Sequence, residues 1–442
     1  MVNRNLLKKH IVIPYEIKKR EIDANIFLAT SLVKRGYKVY ISNKQRINSN
    51  LDKLPKSIFI LKSLSPKNYR YLKKIKSFGH KICCLDVEGT SYLNLQMLKK
   101  RASNLNLDLV EYFFCWGKKM KIDMIKLFPK YKNKFIITGH PRIEILKDLN
   151  SKIYKKESKI IKKKFGQFIL ITTFFNNYNY YDKTKNKDEI LKSHNNLTSI
   201  GKLLQRHQRE NFYQFFKLVD DLNKNLPNQK IIIRPHPVEN IDIWNEYFKN
   251  KKNVKIITDK QSTCSWIIAS QMMVSCNCTT LAESYFLKKI SINFMPFKDK
   301  RVLYDLPLNC SYLVKNLKEL MYLIRSKKYR NLKLKSSQIE KTSKIIYNYN
   351  KKNSNLEIFN NLENIKLDSE QIKYSPQKIL IKKVLRKIVK LKLSYLKNKN
   401  QKIIDHKVGL LKKNEVLKKI NQFKGSKNIK VNEFLPEIFS LS

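Results

Sequence analysis

The chain has 442 residues, of which 42% are hydrophobic, so it is long enough and apolar enough to build domains with sizeable cores. This composition excludes an intrinsically disordered chain. Its 92 Lys and Arg against 35 Asp and Glu give a formal net charge of +57, which favours partners that carry negative charge. Because an AT-rich genome also enriches Lys, Asn and Ile at solvated positions, only local clusters of charge are informative about function.

From residue 10 onwards, short apolar runs alternate with helical patterns, which indicates βα units and a parallel sheet. Between the first two runs, apolar residues at helical spacing predict a helix over Glu21–Arg35 that ends at Gly36. The strands predicted in the first half are 10–13, 38–41, 57–61, 81–85, 112–115 and 135–138.

A lysine-rich segment, residues 150–164, has few apolar positions with a common period, and we predict a connector between domains there. The alternation then restarts, with predicted strands at 168–173, 230–234, 254–258, 272–276 and 290–294 and predicted helices near 209–223, 239–248, 262–270 and 280–287.

The sequence therefore predicts an α/β fold of two doubly wound, Rossmann-like domains, with the carboxyl ends of both sheets facing a cleft. We place an acceptor domain at residues 1–149 and a nucleotide-donor domain at 165–347. Neither half contains a GxGxxG motif or a Walker loop, which argues against dinucleotide and ATP binding.

The remaining residues, 348–442, are predicted to form a basic, largely helical extension. Within 371–430, 19 Lys or Arg stand against two acidic residues, a local net charge of 19 − 2 = +17. Apolar residues between Ile381 and Tyr395 fall on one helical face with lysines around the rest, a pattern that suits an anionic membrane surface. The alternative is a helix docked on the second domain with a solvated outer face.

Seven cysteines lie mostly within apolar runs, as small core residues of a reducing compartment do (Cys83, Cys84, Cys115, Cys264, Cys276, Cys278 and Cys310). Cys276 and Cys278 lack the second Cys or His pair of a tetrahedral zinc site, so we predict no metal there. The first residues lack a signal-peptide core, and no run of about 18 apolar residues exists to span a membrane. We therefore expect a cytoplasmic protein.

The stretch Arg234-Pro-His-Pro237 follows a predicted strand in the second half. Pro235 and Pro237 fix φ on both sides of His236, so this imidazole is predicted to be presented at the mouth of the cleft. There, Arg234 and His236 suit the phosphate of a nucleotide and the charge that develops as it leaves. The alternative is a rigid turn in which His236 only bonds the backbone.

Further along, Ser275-Cys-Asn-Cys-Thr-Thr-Leu-Ala-Glu283 marks the end of a strand and the start of a helix. Thr280 and Glu283 have the spacing of a capping box, which is a sufficient structural explanation. A helix start with the hydroxyls of Thr279 and Thr280 is also a candidate anion site, and the two interpretations are compatible.

In the first half, Asp86 and Glu88 follow the fourth predicted strand beside Gly89, where a carboxylate can serve as general base for an acceptor hydroxyl. The alternative is an Asp-initiated turn. After the first strand, Glu16, Arg20 and Asp23 are candidate substrate contacts, or simply the charged start of a solvated helix. Glu283 in the second half is a further possible substrate contact.

Taken in order, six motifs resemble the bacterial surface carbohydrate biosynthesis proteins of capsule and lipopolysaccharide assembly, over about residues 10–310. These motifs are Ile13-Pro-Tyr-Glu-Ile-Lys-Lys-Arg-Glu-Ile-Asp-Ala24, Leu85-Asp-Val-Glu-Gly89, Phe114-Cys-Trp-Gly117, Thr138-Gly-His-Pro-Arg142, Arg234-Pro-His-Pro237 and Cys278-Thr-Thr-x-x-Glu283. The family is similar to glycosyltransferases of GT-B type, and polysialyltransferases share a looser form of the pattern.

By resemblance, Glu88 would be the base, His236 the phosphate-binding and leaving-group residue, and Thr279 and Thr280 the phosphate hydroxyls. The chain departs from the pattern at Val87, which takes the first place of the acidic pair and leaves open whether Asp86 or Glu88 acts. Cys276, Asn277 and Cys278 also replace the usual Ser or Gly around the hydroxyls.

We therefore expect a metal-independent glycosyltransferase without a cofactor, which takes a CMP-, CDP- or UDP-linked sugar and a glycan or lipid-linked acceptor. Its basic tail would hold it at the inner face of the cytoplasmic membrane, and no nucleic acid is expected as a partner. Alternatives of the same fold are a CDP-polyol phosphotransferase and a nucleotide-sugar epimerase. A non-catalytic scaffold bound to membrane or nucleic acid through the positive charge is the alternative from another class.

Overall fold

The computed structural model of the chain describes residues 9–147, 152–180, 198–258, 261–350, 353–367, 409–423, 425–426 and 428–442. Contacts divide it into two compact units. The first comprises Met1–Val87, Leu98–Ile145 and Lys351–Ser442, and the second comprises Glu88–Met97 and Leu146–Asn350. The predicted domain bounds stay a prediction.

The first unit is built on an eight-stranded sheet in the order β13-β14-β2-β1-β3-β4-β5-β6. Its strands are β1 (His10–Tyr15), β2 (Lys38–Asn43), β3 (Ser57–Leu61), β4 (Lys81–Leu85), β5 (Tyr112–Cys115), β6 (Phe135–Ile137), β13 (Val431–Leu435) and β14 (Ile438–Leu441). The first six strands pair in parallel, and β3 and β4 are buried almost throughout because they are apolar on both faces.

Among the described residues, seven helices lie between residues 18 and 146 and two follow residue 353. They are α1 (Lys18–Val33), α2 (Lys44–Ser49), α3 (Tyr69–Ser77), α4 (Leu95–Lys99), α5 (Asn104–Asp108), α6 (Lys118–Leu127), α7 (Pro141–Leu146), α16 (Ser354–Glu363) and α17 (Lys413–Ile420). As predicted, α1 ends just before Gly36, which has a φ of 88° that L side chains rarely adopt.

The second unit contains a six-stranded parallel sheet in the order β12-β11-β10-β7-β8-β9. Its strands are β7 (Phe168–Thr172), β8 (Lys230–Arg234), β9 (Val254–Ile256), β10 (Met272–Ser275), β11 (Ser291–Phe294) and β12 (Tyr312–Val314). The helices are α8 (Lys152–Phe165), α9 (Ser199–Asn225), α10 (Ile241–Phe248), α11 (Thr263–Ala269), α12 (Thr280–Phe286), α13 (Asp305–Asn309), α14 (Leu317–Arg325) and α15 (Ser336–Ile345).

The predicted fold class is thus confirmed: each unit holds a doubly wound, Rossmann-like parallel sheet. In the second unit, an aromatic cluster covers one face of the sheet. Phe216 stacks on Trp244 with ring centroids 4.7 Å apart, and Phe212 meets Trp244 edge-on at 5.2 Å. All three rings belong to a core that also buries Ile231 and Val274 of the central strands.

The predicted connector at residues 150–164 is wrong in its local structure, because α8 occupies Lys152–Phe165 and packs against α11. Tyr154, Ser158 and Ile161 are buried on one face of this helix. The polar Ser158 breaks the apolar period, which explains why the sequence pattern did not predict a helix.

The described parts of the basic extension belong to the first unit. Helix α17 packs on α1, and β14 pairs antiparallel with β2, with Phe439 opposite Ile41. From residue 353 onwards, the described parts of the extension therefore pack on the first unit, whereas the alternative interpretation predicted docking on the second domain. The predicted amphipathic face, Ile381 to Tyr395, lies outside the described residues.

All seven cysteines are buried and free, as predicted. Within the part of the chain that the structure describes, no helix combines the length and the hydropathy needed to cross a membrane.

Candidate functional site

The strand order of the second unit creates a switch point at β7. From β7 the chain builds β8 and β9 on one side and then crosses to β10, β11 and β12 on the other. Ligands of doubly wound sheets bind in the crevice at the carboxyl ends of the strands beside such a point. In this unit those ends carry Thr172 and Thr173 on β7, Arg234 to His236 on β8, and Ser275 to Thr280 after β10.

His236 lies at this carboxyl edge, directly after β8, as the sequence predicted. Its flanking Pro235 is buried and Pro237 is exposed, while His236 itself is half-buried. The ring meets Phe174 edge-on at 5.5 Å, and Nδ1 accepts a long hydrogen bond of 3.5 Å from the backbone N–H of Val238. The imidazole is therefore oriented by local contacts at the end of the strand.

The hydroxyl cluster predicted after β10 contains a partner that sequence reasoning missed. The hydroxyls of Thr280 and Thr172 are hydrogen-bonded at 2.9 Å, and Ser275 Oγ donates to the backbone oxygen of Thr172 at 2.7 Å. The next residue, Thr173, accepts a hydrogen bond of 3.3 Å from the backbone N–H of His236. Two consecutive threonines at the end of β7 thus connect the histidine motif to the hydroxyl motif.

Glu239 is a second residue that the sequence analysis did not single out. Its buried carboxylate accepts hydrogen bonds from Thr173 Oγ1 at 2.7 Å, from the backbone N–H of Phe175 at 2.8 Å and from Trp244 Nε1 at 3.3 Å. Burial raises the pKa of Glu239, and the hydrogen bonds oppose that rise. Because Glu239 ties the end of β7 to the turn after His236, it holds the two strand ends in register. In the sequence, Glu239 is one of two acidic residues in Pro237-Val-Glu-Asn-Ile-Asp-Ile-Trp244, and nothing local distinguishes it from Asp242.

The predicted capping box of Thr280 and Glu283 is wrong. Helix α12 has Thr279 at its N-cap position with no side-chain hydrogen bond, and Thr280 lies inside the helix. The Thr280 hydroxyl bonds Thr172 instead, and the buried Glu283 carboxylate accepts from the thiol of Cys264 at 3.9 Å. Thr279 is exposed at this edge.

The loop before α12 is shaped by Asn277, which has a φ of 43°, a left-handed conformation that Asn adopts more readily than most residues. Its backbone N–H donates to Asn293 Oδ1 at 2.9 Å. This bond ties the loop to the carboxyl end of β11, so Asn277 replaces the glycine that such a turn usually needs.

Arg234, predicted to bind phosphate, lies at the end of β8 against α11. Its guanidinium is 5.1 Å from the ring centroid of Trp266, and Nη2 donates to the backbone oxygen of Gln261 at 3.2 Å. The side chain is half-buried.

The two candidate bases differ sharply, and the division into units assigns Asp86 to the first unit and Glu88 to the second. The Asp86 carboxylate is buried and accepts from Arg101 Nη1 at 3.0 and 3.1 Å, and its backbone oxygen accepts from Trp116 Nε1 at 2.5 Å. Glu88 is exposed. An ion-paired buried carboxylate is a poor proton acceptor, so the geometry favours Glu88.

Glu16 and Asp23, two of the candidate substrate contacts, are held in ion pairs. Glu16 lies 2.9 Å from both Lys44 Nζ and Lys62 Nζ, and Asp23 lies 2.5 Å from Lys419 Nζ of α17. Burial alone would raise the pKa of Glu16, but the two lysines outweigh it and hold that pKa below its usual value. Arg20 is half-buried on α1.

His140 of the motif Thr138-Gly-His-Pro-Arg142 is a buried structural residue. It stacks on Trp116 at 4.3 Å, and its Nδ1 accepts from the backbone N–H of Arg142 at 3.0 Å. Burial, assisted by nearby arginines, holds the pKa of His140 well below its usual value, so the ring stays neutral.

Over the described ranges, no group of three or more His, Cys, Asp and Glu residues is arranged to hold a metal ion.

No protein-family model matches the chain. No curated protein matches it by sequence. Solved structures do share its fold.

The UDP-GlcNAc 2-epimerase of Methanocaldococcus jannaschii, in complex with UDP-GlcNAc and UDP, superposes with a TM-score of 0.53 at 12% identity, over 81% of this chain and 99% of that chain. A putative UDP-N-acetylglucosamine 2-epimerase from Listeria monocytogenes gives 0.50 at 11% identity, over 83% and 99%. The wall teichoic acid polymerase TagF with CDPG gives 0.48 at 13% identity, over 81% and 89%, too loose a match to use further. The chain thus has the two-Rossmann, GT-B-type fold, which nucleotide-sugar enzymes also have.

Proposed function

We propose that this chain is a metal-independent glycosyltransferase that moves a sugar from a nucleotide donor to a surface polysaccharide or lipopolysaccharide acceptor. The observation that carries the proposal is the pair Thr172 and Thr173. These residues join His236 to the Thr280 hydroxyl at the switch point of the second sheet, where doubly wound folds bind nucleotides. The fold shared with nucleotide-sugar enzymes supports the same substrate class.

In the proposed reaction, an acceptor hydroxyl oxygen attacks the anomeric carbon of the donor sugar while the bond from that carbon to the phosphate oxygen breaks. The hydroxyl proton passes to a carboxylate, for which exposed Glu88 is the better candidate because Asp86 is bound by Arg101. The nucleotide leaves as an anion. His236 would stabilise that charge, and Thr279 and Thr280 would bind the phosphate oxygens, assisted by Arg234.

A nucleotide-sugar 2-epimerase is the second candidate. It is favoured by the superpositions at a TM-score of 0.50 or above, since these structures are described as UDP-GlcNAc 2-epimerases. An epimerase would invert one carbon of the sugar and return it still linked to the nucleotide. The same carboxyl edge of the second sheet would hold the nucleotide in both reactions.

One experiment separates the two candidates. The purified full chain is incubated with a panel of CMP-, CDP- and UDP-linked sugars and CDP-glycerol, with and without a glycan acceptor, and the products are resolved by chromatography and mass spectrometry. A transferase releases nucleotide in step with acceptor growth. An epimerase equilibrates two isomeric nucleotide sugars without acceptor, and a polyol phosphotransferase uses CDP-glycerol.

A non-catalytic scaffold gives none of these products. If the panel shows no turnover and His236→Ala leaves the cellular function intact while charge reversals within 371–430 abolish it, the transferase proposal fails. Association of the basic extension with an anionic membrane surface is part of this proposal, and its test is sedimentation of the full chain with vesicles that contain anionic lipid.

A further inference from the structure

A second pocket lies at the carboxyl edge of the first unit. Strand β1 stands between β2 and β3, and after β2 the chain crosses β1 to build β3, so this sheet has its own switch point. The pocket opens between the ends of these strands and is lined by polar side chains of Glu16, Lys44, Lys62, Ser63, Asn68 and Tyr71. The proposed transfer chemistry uses none of these side chains, and the sequence analysis marked only Glu16, as a candidate substrate contact.

Two lysines in this pocket share one carboxylate. Lys44 Nζ and Lys62 Nζ each lie 2.9 Å from an oxygen of Glu16, and Lys44 Nζ also donates to Asn68 Oδ1 at 2.9 Å. The Glu16 side chain keeps 38% of its surface exposed. Glu16 is therefore an ion-pair partner that can leave the lysines without being pulled out of a core.

Glu21 has the opposite character. Its side chain is 1% exposed, and its carboxylate accepts the backbone N–H groups of Glu16 at 3.0 Å and of Ile17 at 2.9 Å, as well as Lys62 Nζ at 3.1 Å. It is fixed at the start of α1. If Glu16 swings away, the pocket keeps the two lysines, Lys44 and Lys62, and one carboxylate, Glu21. Its net charge is then 2 − 1 = +1.

Tyr71 supplies an independent sign of a ligand. Its hydroxyl is buried and, in the described part of the chain, has no hydrogen-bond partner. Lys44 Nζ lies 4.9 Å from the centre of its ring, so the phenol faces the same charged group. Burial raises the pKa of Tyr71, which keeps the hydroxyl protonated and able to donate. Since a buried hydroxyl without a partner is costly, a ligand oxygen would satisfy it.

We propose that this pocket binds an oxyanion carried by a sugar, in the place of the Glu16 carboxylate, with Lys44 and Lys62 as counter-charges and the Tyr71 hydroxyl as an additional donor. The pocket would hold the charged group of an acceptor glycan, so this inference rests on the proposed function. The chemistry of the pocket fits both a carboxylate and a phosphate, which are the two sources of an oxyanion on a surface glycan.

The test is isothermal titration of the full chain, without nucleotide, using glucuronate, glucose 6-phosphate and uncharged glucose as probes. We expect at least one charged probe to bind and glucose not to bind. The charged probe with the higher affinity shows whether the natural oxyanion is a carboxylate or a phosphate. Glu16→Gln removes the competing carboxylate and should tighten binding about tenfold, whereas Lys44→Met should weaken it at least about tenfold. Tyr71→Phe should weaken it about fivefold.

Glu111→Gln is the matched control, because Glu111 pairs with Lys76 at 3.4 Å elsewhere on the first unit, and it should leave the affinity unchanged. The inference is overturned if Glu16→Gln binds neither charged probe more tightly than the wild type, since the network would then be purely structural. If Lys44→Met fails to fold, the Glu16→Gln result alone decides. Because no nucleotide is present, a failure here leaves the donor-panel result standing, and a failed donor panel leaves this binding result standing.

Discussion

At the carboxyl edge of the second sheet, hydroxyl and imidazole groups predominate, whereas at the corresponding edge of the first sheet, lysines and carboxylates do. Thr172, Thr280 and His236 form the second edge through neutral hydrogen bonds. The first edge holds Glu16 between two lysines, and Asp86 is paired with Arg101.

This difference shows that two sheets of one fold class can place opposite chemistry at equivalent positions. Neutral donors at a strand end bind a phosphate without first breaking an internal ion pair, which suits a nucleotide. Paired charges stabilise the strand ends. A ligand can bind to one charge of such a pair only where the other charged side chain is exposed and can move away. Four predictions test this contrast, from the largest expected effect to the smallest.

The strongest test breaks the buried ion pair of the first edge. Asp86→Asn leaves the Arg101 guanidinium, whose side chain is 16% exposed, without its counter-charge. We expect the free energy of unfolding to fall by about 3–5 kcal/mol, as measured by urea denaturation. Glu340→Gln, which removes an exposed i,i+4 partner of Lys344, should change it by less than about 0.5 kcal/mol. Equal effects of both substitutions would show that the ion pair of Asp86 with Arg101 does not stabilise the folded state.

At the second edge, the prediction concerns catalysis. His236→Ala should lower the turnover of the preferred donor at least about a hundredfold, or about 2.7 kcal/mol, because one stabiliser of transition-state charge is lost. His10→Gln is the control, since His10 begins β1 at the opposite end of the first sheet and only contacts Tyr40. Turnover within threefold of the wild type after His236→Ala would remove the imidazole from the mechanism.

Acid should weaken both units, because each buries neutral histidines: His80 and His140 in the first unit and His207 in the second. Burial lowers the pKa of His80 and that of His207 to about 4. His80 Nδ1 accepts from the backbone N–H of Ser57 at 3.1 Å, a bond that a protonated ring cannot accept.

Since the folded-state pKa of each histidine is depressed, the unfolded chain binds more protons between pH 6.5 and pH 4, and stability falls as the pH is lowered through that window. We expect a loss on the order of 2 kcal/mol per histidine from pH 7 to pH 5. Urea unfolding at both pH values measures it, and His80→Gln should reduce the loss. A variant as acid-sensitive as the wild type would show that His80 does not contribute.

The smallest expected effect is on nucleotide affinity. Thr280→Val keeps the side-chain shape but removes the hydroxyl that bonds Thr172. The dissociation constant of the preferred nucleotide should rise about fivefold, equivalent to about 1 kcal/mol, in isothermal titration. Thr30→Val, which removes a hydroxyl that bonds only the backbone of α1, should leave it unchanged. An unchanged constant for Thr280→Val would place the phosphate elsewhere.

Much of the fold follows from local sequence. The predicted strands 57–61, 81–85, 112–115 and 230–234 match the structure residue for residue, because runs of β-branched, aromatic and Cys residues buried on both faces carry a strong signal. His236 was placed correctly at a strand end for the same reason, since the prolines around it end the strand.

What local sequence could not reveal were partners that are distant along the chain. The bond of Thr280 to Thr172, which replaced the predicted capping box, joins residues 108 apart. Strands β13 and β14 extend a sheet whose other strands were predicted within residues 10–138, and the candidate substrate contact Asp23 is paired with Lys419. Such pairings depend on topology and not on periodicity.

The return of β14 to β2 has a consequence for how this protein is made. Phe439 pairs with Ile41, so 439 − 41 = 398 residues separate the partners along the chain. At a synthesis rate of about 5–20 residues per second, the open edge of β2 waits roughly 20–80 s on the ribosome for its neighbour. During that time one edge of this buried strand has no neighbour, and an open strand edge is a template for pairing with another chain.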